Sequence, residues 1–348
     1  MKNVLSLAKN IISSNIKRLS FPYKLTFSIT NRCNSRCKIC YIWKRGTSEE
    51  LTSKEIDTFF KKSNRFNWID LTGGEIFLRD DLEEIINSIL ANCKELYLLH
   101  FPTNGMLTDR TVKIVEDIMP FMTHKKLIIT VSLDGHEALH DDIRGVQGSY
   151  RKSIETFGRL RKIKGAEVYI GMTLSSYNYL QLDRIFESVK KDCPYLGFRD
   201  FHINIVHSSS FQYGNEGQIK PYDPKLATRE INNFISRKSF NLNPVLLLEC
   251  CYLRLIRRYL MEKKTPMPCK AFFSSCYINA EGDVYPCSLY DKKMGNIRDE
   301  GSDLKSIWEN TSNIDILLQI KEKKCPNCWT PCEAYQSILG NLALLYIK

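Results

Sequence analysis

No continuous apolar run in the 348-residue chain approaches the ~18 residues of a membrane span, so a helix through a bilayer is not expected. The first twenty residues alternate apolar and basic positions, with no unbroken apolar stretch and no small-residue cleavage site, which removes a secretory signal. Internal repeats and low-complexity segments are missing too, which argues against solenoids and disordered tails. The basic runs Lys61-Lys62, Lys125-Lys126, Arg257-Arg258 and Lys321 to Lys324 lack interleaved aromatics, so no nucleic-acid platform is expected. The formal charge of +11 then describes a solvated basic surface, compatible with anionic small substrates or a lipid surface. The apolar fraction of 43% is enough for one large core, or a core with a small appended module. What the chain has in excess is cysteine, with thirteen. Closely spaced cysteines in an unsecreted chain point to metal ligation in a reducing cytoplasm rather than to disulfides.

Three of them stand together as Cys33-Asn-Ser-Arg-Cys37-Lys-Ile-Cys40, directly after a strand-like apolar stretch over 24–30. Three thiolates within eight residues can hold three irons of a cubic cluster and leave the fourth iron open to a small molecule. A zinc knuckle is one alternative, but zinc takes four ligands from paired units, and the first histidine is His100. Structural cysteines that fall close together are the other.

From residue 24 onward strand and helix patterns alternate. The spacing predicts strands over 24–29, 68–71, 96–101, 127–132, 168–174 and 198–206, separated by helices over 53–62, 82–91, 109–118, 150–163 and 179–190. Six such units imply an α/β chain with a parallel sheet, a partial (β/α)6 TIM-type barrel short of the roughly 250 residues of a complete one. Chemistry gathers at the C-terminal strand ends of such barrels. Cys33 follows the first strand, Gly73-Gly74-Glu75 the second and Thr103-Asn104-Gly105 the third, and Ser132-Leu-Asp134-Gly135 closes the fourth.

Residues 1–22 form an expected amphipathic helix. It carries Val4, Leu5, Leu7, Ala8, Ile11, Ile12, Ile16 and Leu19 at helical spacing against Lys2, Lys9, Lys17 and Arg18. Such a helix either caps the main domain or lies on a membrane surface. The barrel is expected over 23–210 and a connecting helical region over 211–265. Its strong helix over 244–263 carries Cys250 and Cys251, which read as core thiols. Thr265-Pro266-Met-Pro268 marks a boundary, after which a small domain over 266–340 and a tail over 341–348 complete the chain.

Cys-x3-Cys-x2-Cys after a first strand and Gly-Gly-Glu after a second resemble the radical S-adenosylmethionine (SAM) superfamily, over about residues 23–206. The resemblance implies that Cys33, Cys37 and Cys40 hold a [4Fe–4S] cluster whose open iron is chelated by SAM. Reductive cleavage then gives methionine and a 5′-deoxyadenosyl radical that abstracts hydrogen from a substrate, with electrons from an external reductant of flavodoxin or ferredoxin type. It further implies that Gly73, Gly74 and Glu75 contact the methionyl amine, and that Asn104 belongs to the same SAM-binding rim. Ser132 and Arg144, within Ser-Leu-Asp-Gly…His140-Asp141…Arg144-Gly145, would help hold the carboxylate and ribose. The alternative for Arg144 is a pair with a neighbouring acid such as Asp141. The chain departs from the family pattern at Ile39, where an aromatic residue usually precedes the third cysteine; here Tyr41 follows it.

In the C-terminal part, Cys269 is followed by twelve residues and Gly282-Asp-Val-Tyr-Pro-Cys287, then by Cys325-Pro-Asn-Cys328-Trp-Thr-Pro-Cys332. Glu281-Gly282-Asp283 predicts a hairpin turn between 276–279 and 284–285. On the residues alone a zinc ribbon and an iron–sulfur site stay open. Beside a radical SAM core the arrangement resembles the SPASM and twitch domains, as does Gly295-Asn296-Ile297 before Trp308. The full SPASM pattern has more cysteines than this chain, whose six cannot complete the eight ligands of two cubes. The resemblance therefore implies one auxiliary [4Fe–4S] cluster. Its ligands would be Cys269, Cys287, Cys325 and Cys328, with Cys332 or Cys276 as replacements or additions.

The expectation is a cytoplasmic radical SAM enzyme in which the auxiliary cluster assists oxidation or binds substrate. The substrate would be a peptide, a sugar or another small or lipid-linked molecule. About twenty residues precede the barrel, too few for a separate leader-peptide domain, so a non-peptide substrate is expected as readily as a peptide. Peripheral membrane association through the N-terminal helix is compatible with this. The competing class is a non-catalytic iron–sulfur electron carrier or a zinc-binding protein.

Overall fold

The computed structural model describes residues 2–46, 49–238 and 242–345. Met1 of the expected N-terminal helix, 239–241 of the expected connecting region and 346–348 of the expected tail lie outside them.

Six parallel strands follow one another across the sheet: β1 (Lys24–Ser28), β2 (Trp68–Thr72), β3 (Leu98–Thr103), β4 (Lys126–Ser132), β5 (Ala166–Leu174) and β6 (Phe201–Ile205). The register places Lys24 beside Trp68, Trp68 beside Leu98, and Leu98 beside Lys126. Every residue of β1 is buried, as a parallel strand covered on both faces requires. The helices of this half are α1 (Lys2–Ile16), α2 (Ser53–Lys62), α3 (Leu82–Asn92), α4 (Thr108–Ile118), α5 (Glu137–Arg144), α6 (Ser149–Leu160) and α7 (Leu182–Asp192). Local chemistry sets their ends. Thr52 and Glu55 form a reciprocal capping box at the start of α2. That orientation presses Phe59 and Phe60 onto Phe27 of β1, with ring centroids 6.0 and 6.1 Å apart. Burying each such ring contributes roughly 2–3 kcal/mol.

The expected partial barrel is present. α5 lies in a stretch for which the spacing predicts no element, because a short helix rich in His and Asp carries little apolar periodicity. The long connection also contains a full helix, α8 (Pro224–Ser236), before α9 (Pro244–Glu262). Cys251 of α9 packs against the core, whereas Cys250 is half-buried.

Beyond α9, β7 (Ser275–Ile278) pairs parallel with β1, and β8 (Asp283–Tyr285) and β9 (Gly295–Asn296) follow antiparallel. The expected hairpin is therefore hydrogen-bonded into one nine-stranded sheet of order β6-β5-β4-β3-β2-β1-β7-β8-β9. α10 (Leu304–Glu309), α11 (Ile314–Lys321) and α12 (Pro331–Leu339) complete the chain.

Inside the partial barrel Trp68, Leu98, Ile128 and Tyr169 pack together against Val245 and Leu248 of α9 and Tyr335 and Leu339 of α12. Trp68 and Tyr335 stack with centroids 6.2 Å apart. These two helices thus form one wall of the barrel's interior. No described helix is long and apolar enough to cross a membrane.

Candidate active site

The loop after β1 carries Cys33, Cys37 and Cys40. It is held by backbone bonds to the last turn of α5 and to the loop after β6: Arg36 N–H donates to Arg144 O at 2.9 Å, Lys38 N–H to Ile143 O at 2.8 Å, and Tyr41 N–H to Tyr213 O at 2.7 Å. Asn215 adds a bond to Ile39 O at 2.8 Å. The three thiols influence one another electrostatically, and burial pushes Cys33 up to about 11 and Cys40 to about 12. Backbone N–H groups of Ser35 and Ile42 point at the sulfurs of Cys33 and Cys40. Thiols so shielded bind metal by giving up their protons, and N–H donors to sulfur tune the potential of a cluster.

The Gly-Gly-Glu loop lies directly against the cysteine loop. Gly74 N–H donates to Thr30 O and Glu75 N–H to Arg32 O, both at 2.8 Å. A Cβ on Gly73 would stand 2.3 Å from Thr30 O, and one on Gly74 would stand 2.1 Å from Arg32 O. The glycines are required by this backbone contact. The Glu75 carboxylate, also buried, turns to the next loop and accepts from Asn104 N at 2.6 Å and Thr103 Oγ1 at 3.2 Å. Burial drives its pKa up to about 7 against the pull of those donors. The Asn104 amide in turn donates to Asn34 Oδ1 at 2.7 Å and Ser35 Oγ at 3.1 Å. Glu75 and Asn104 thereby fasten three loops into one rim.

Arg144, the last residue of α5, reaches Cys37. Its Nη1 stands 3.7 Å from Cys37 Sγ, and its Nη2 forms an ion pair of 2.8 Å with Asp134. Burial alone would lower its pKa, but Asp134 and Cys37 hold it above the ordinary guanidinium value. The expected alternative partner, Asp141, is engaged elsewhere, accepting from Gly148 N–H, Ser149 Oγ and Tyr150 N–H at the start of α6. Arg144 Nε is buried with no partner. An orphaned guanidinium donor beside a cysteine cluster fits a bound carboxylate. Gly145 ends α5 with φ 66°, where a Cβ would meet Arg36 O at 2.5 Å.

Cys37, Cys40, Ser132 and Arg144 line the mouth of a cavity of about 480 Å³ that runs through the barrel toward Leu7 and Ile11 of α1. Its middle is polar, which sequence reasoning missed. Asp70 accepts from Trp68 Nε1 at 2.6 Å, pairs with Lys24 at 2.9 Å and meets His100 Nδ1 at 3.1 Å; His100 Nε2 stands 3.0 Å from Thr130 Oγ1. Barrel interiors are usually filled by branched apolar residues. The available signal was charge at inward positions of apolar strands. His202 and His207 also line the cavity, each with Nε2 unpartnered.

In the C-terminal part, Cys269 lies within electrostatic range of Cys325 and Cys328, Cys287 of Cys269 and Cys328, and Cys328 of Cys325. Ala271 N–H donates to Cys269 Sγ at 3.5 Å. Cys332 faces Lys24 and Asp70 and lines the barrel cavity. Cys276, on β7, is fully buried beside Glu333 and Lys24. No three His, Cys, Asp or Glu side chains among the described residues stand so as to share one metal ion. Cubic clusters do not ask for that convergence, because each ligand sulfur takes its own iron.

A family model described as the radical SAM superfamily matches residues 27–189, and one described as an iron–sulfur cluster-binding domain, SPASM, matches 269–342. Among relatives, the antilisterial bacteriocin subtilosin biosynthesis protein AlbA of Bacillus subtilis is 27% identical over 82% of this chain. The chain spans 60% of that relative's length. An AdoMet-dependent heme synthase of Oleidesulfovibrio alaskensis is 25% identical, with 87% of this chain and 79% of the relative covered. A cysteine-type anaerobic sulfatase-maturating enzyme of Clostridium novyi is 25% identical, with 87% and 84% covered. The solved structure of native anSMEcpe with bound AdoMet shares the fold at a TM-score of 0.60 and 18% identity, covering 84% of this chain and 82% of that one.

Proposed function

The chain belongs to the radical SAM superfamily and ends in a SPASM iron–sulfur cluster-binding domain, and on that premise we propose that it cleaves SAM reductively to oxidise or cross-link a peptide substrate. The observation that carries the reading is Arg144: one guanidinium reaches both Cys37 Sγ and Asp134 and keeps a buried unpaired Nε at the cavity mouth.

Cys33, Cys37 and Cys40 would hold the [4Fe–4S] cluster that binds SAM. Bound there, the cluster supplies the electron that splits SAM into methionine and a 5′-deoxyadenosyl radical. Arg144 offers its free Nε–H to the SAM carboxylate, while Asp134 holds Nη2 of the same guanidinium. Ser132 stands at the same mouth to meet the carboxylate or ribose. Gly73, Gly74, Glu75 and Asn104 set the rim, and their main part is to hold the cysteine loop against it. Ile39 lines the cavity beside Cys40, so the adenine side offers an aliphatic contact in place of a ring. The walls beneath are closed by α9 and α12, which keeps water from a radical formed there. Asp70, held by Lys24 and Trp68, orients His100 toward the substrate space.

Cys269, Cys287, Cys325 and Cys328 would hold one auxiliary [4Fe–4S] cluster, an acceptor for the electron that remains after hydrogen abstraction. Cys332, in the first turn of α12, faces the cavity instead and is left as a substrate-side thiol. A peptide is favoured over other substrates because the sequence relatives include a bacteriocin biosynthesis protein and a sulfatase-maturating enzyme. The reductant is of flavodoxin or ferredoxin type.

Anaerobic reconstitution followed by SAM and dithionite should release 5′-deoxyadenosine. Co-expression with short peptides encoded beside the gene should yield a peptide lacking two hydrogens. A colourless, zinc-loaded protein that forms no 5′-deoxyadenosine would overturn the reading. Cleavage of SAM with modification of a tetrapyrrole and of no peptide would overturn the substrate class alone.

A further inference from the structure

α1 docks on the barrel largely through polar side chains. Asn3 donates to Leu96 O at 2.7 Å, Ser6 to Glu95 at 2.5 Å, Asn10 to Asn67 at 2.6 Å, and Asn15 to Leu339 O at 2.8 Å. Leu7 and Ile11 face inward and line the cavity floor. The outward face is made of two residue kinds: the exposed positions of α1 are Lys2, Val4, Leu5, Lys9, Ile12 and Ile16. Leu5, Ile12 and Ile16 are 65%, 62% and 83% exposed. At 3.6 residues per turn they fall within about 40° of one another, forming a single stripe. A helix that merely covers a domain shows the opposite order, polar outward and aliphatic inward.

The charge around the stripe is predominantly positive. The first acidic residue of the chain is Glu49, while Lys2 and Lys9 are exposed on α1 and Lys17 just beyond it; Arg18 turns inward to Phe272 O and Trp308 O. Glu95, exposed beside Lys94, accepts a hydrogen bond from Ser6 and is outnumbered by these lysines. The loops entering β3 and β5 lie at this same end of the barrel and present exposed Lys94, Lys162 and Lys164. Two copies meeting through this stripe would set lysine against lysine, so a second copy of the chain is a poor occupant. A surface with an apolar interior and anionic heads matches both features.

We propose that this end of the barrel binds a bilayer surface bearing anionic lipid, with α1 lying in the interface, Leu5, Ile12 and Ile16 in the acyl boundary and Lys2, Lys9 and Lys17 among the headgroups. The cavity mouth at Cys37 and Arg144, at the opposite strand ends, then faces away from the bilayer. The inference is independent of the reaction catalysed.

The test is sedimentation of the full-length protein with vesicles of phosphatidylcholine alone and with vesicles containing one-third phosphatidylglycerol. Binding is expected on the anionic vesicles and weakened by salt. Leu5→Ser/Ile12→Ser/Ile16→Ser and Lys2→Glu/Lys9→Glu/Lys17→Glu should each lower the affinity by about tenfold or more. Their circular dichroism and urea midpoints should stay near wild type, because every altered side chain is exposed. The proposal is overturned if wild type stays in the supernatant with anionic vesicles, or if either triple variant sediments as wild type does. It is also overturned if the protein elutes as a dimer that the Leu5/Ile12/Ile16 variant converts to monomer.

Discussion

The Lys24 ammonium lies 2.9 Å from the Asp70 carboxylate, with the two side chains 0% and 9% exposed. Burial alone would raise the pKa of Asp70, yet Lys24 and His100 hold it well below the usual carboxylate range. Lys24 also donates to Cys332 O and to Gln336 Oε1 at 3.2 Å. One ammonium therefore joins β1 and β2 to α12, across the seam between the barrel and the C-terminal cysteines.

A buried charge left alone costs far more than a pair is worth. Lys24→Met should destabilise the protein by about 3–5 kcal/mol in urea titrations, and Lys24→Met/Asp70→Leu should recover most of that loss. A single substitution costing less than about 1 kcal/mol would contradict the pairing.

The two cysteine groups should separate by substitution. Cys37→Ala is expected to lower iron content from about eight to about four per chain and to abolish 5′-deoxyadenosine formation. Cys328→Ala should lower iron similarly while sparing SAM cleavage and impairing peptide modification. Loss of both activities in Cys328→Ala would argue against a separate auxiliary centre.

Gly74 has no room for a side chain, whereas a Cβ on Gly46 meets nothing within 4 Å. Gly74→Ala should push the Gly-Gly-Glu loop off the cysteine loop and weaken SAM binding by about tenfold or more, a cost of ~1.4 kcal/mol. Gly46→Ala should bind SAM as wild type does. Equal affinities in calorimetry would show that the loop contact is dispensable.

Glu75 gives the fold a pH dependence. Its folded value is raised by burial, from an ordinary 4.5 up to about 7. Below 4.5 both folded and unfolded chains carry the proton, and between 4.5 and about 7 the folded chain alone keeps it. Stability should therefore fall as pH rises across that window, by about 3 kcal/mol in total, and level off above it. Glu75→Gln should flatten this decline relative to wild type. Parallel profiles of the urea midpoint would refute it.

Much of the fold is legible because strands and helices alternate with clean periods. The places of Cys33, Cys37 and Cys40 after β1, of Gly73 after β2 and of Ser132 at the end of β4 follow from that alternation alone. The ion-pair partner of Arg144 does not. Asp141 is closer in sequence, yet it is consumed as the cap of α6, leaving Asp134 to fold back across α5. The Lys24–Asp70–His100 group is scattered over three strands, and nothing local marks inward charges that meet only when the sheet closes. Nor does any local signal announce that Leu25 will pair with Cys276, some 250 residues later. The outward aliphatic stripe of α1 was visible as periodicity, but which face turned outward was decided by Asn3, Asn10 and Asn15.

The pairing of β7 with β1 covers an edge that the barrel sheet would otherwise expose. β1 is buried on both faces and apolar at Leu25 and Phe27, and its outer N–H and C=O groups are covered by β7 alone. A chain truncated before β7 would offer that row as a template for other copies, the arrangement from which edge-to-edge aggregation begins. The C-terminal segment is thus also the barrel's guard against self-association, whether or not its cysteines carry iron.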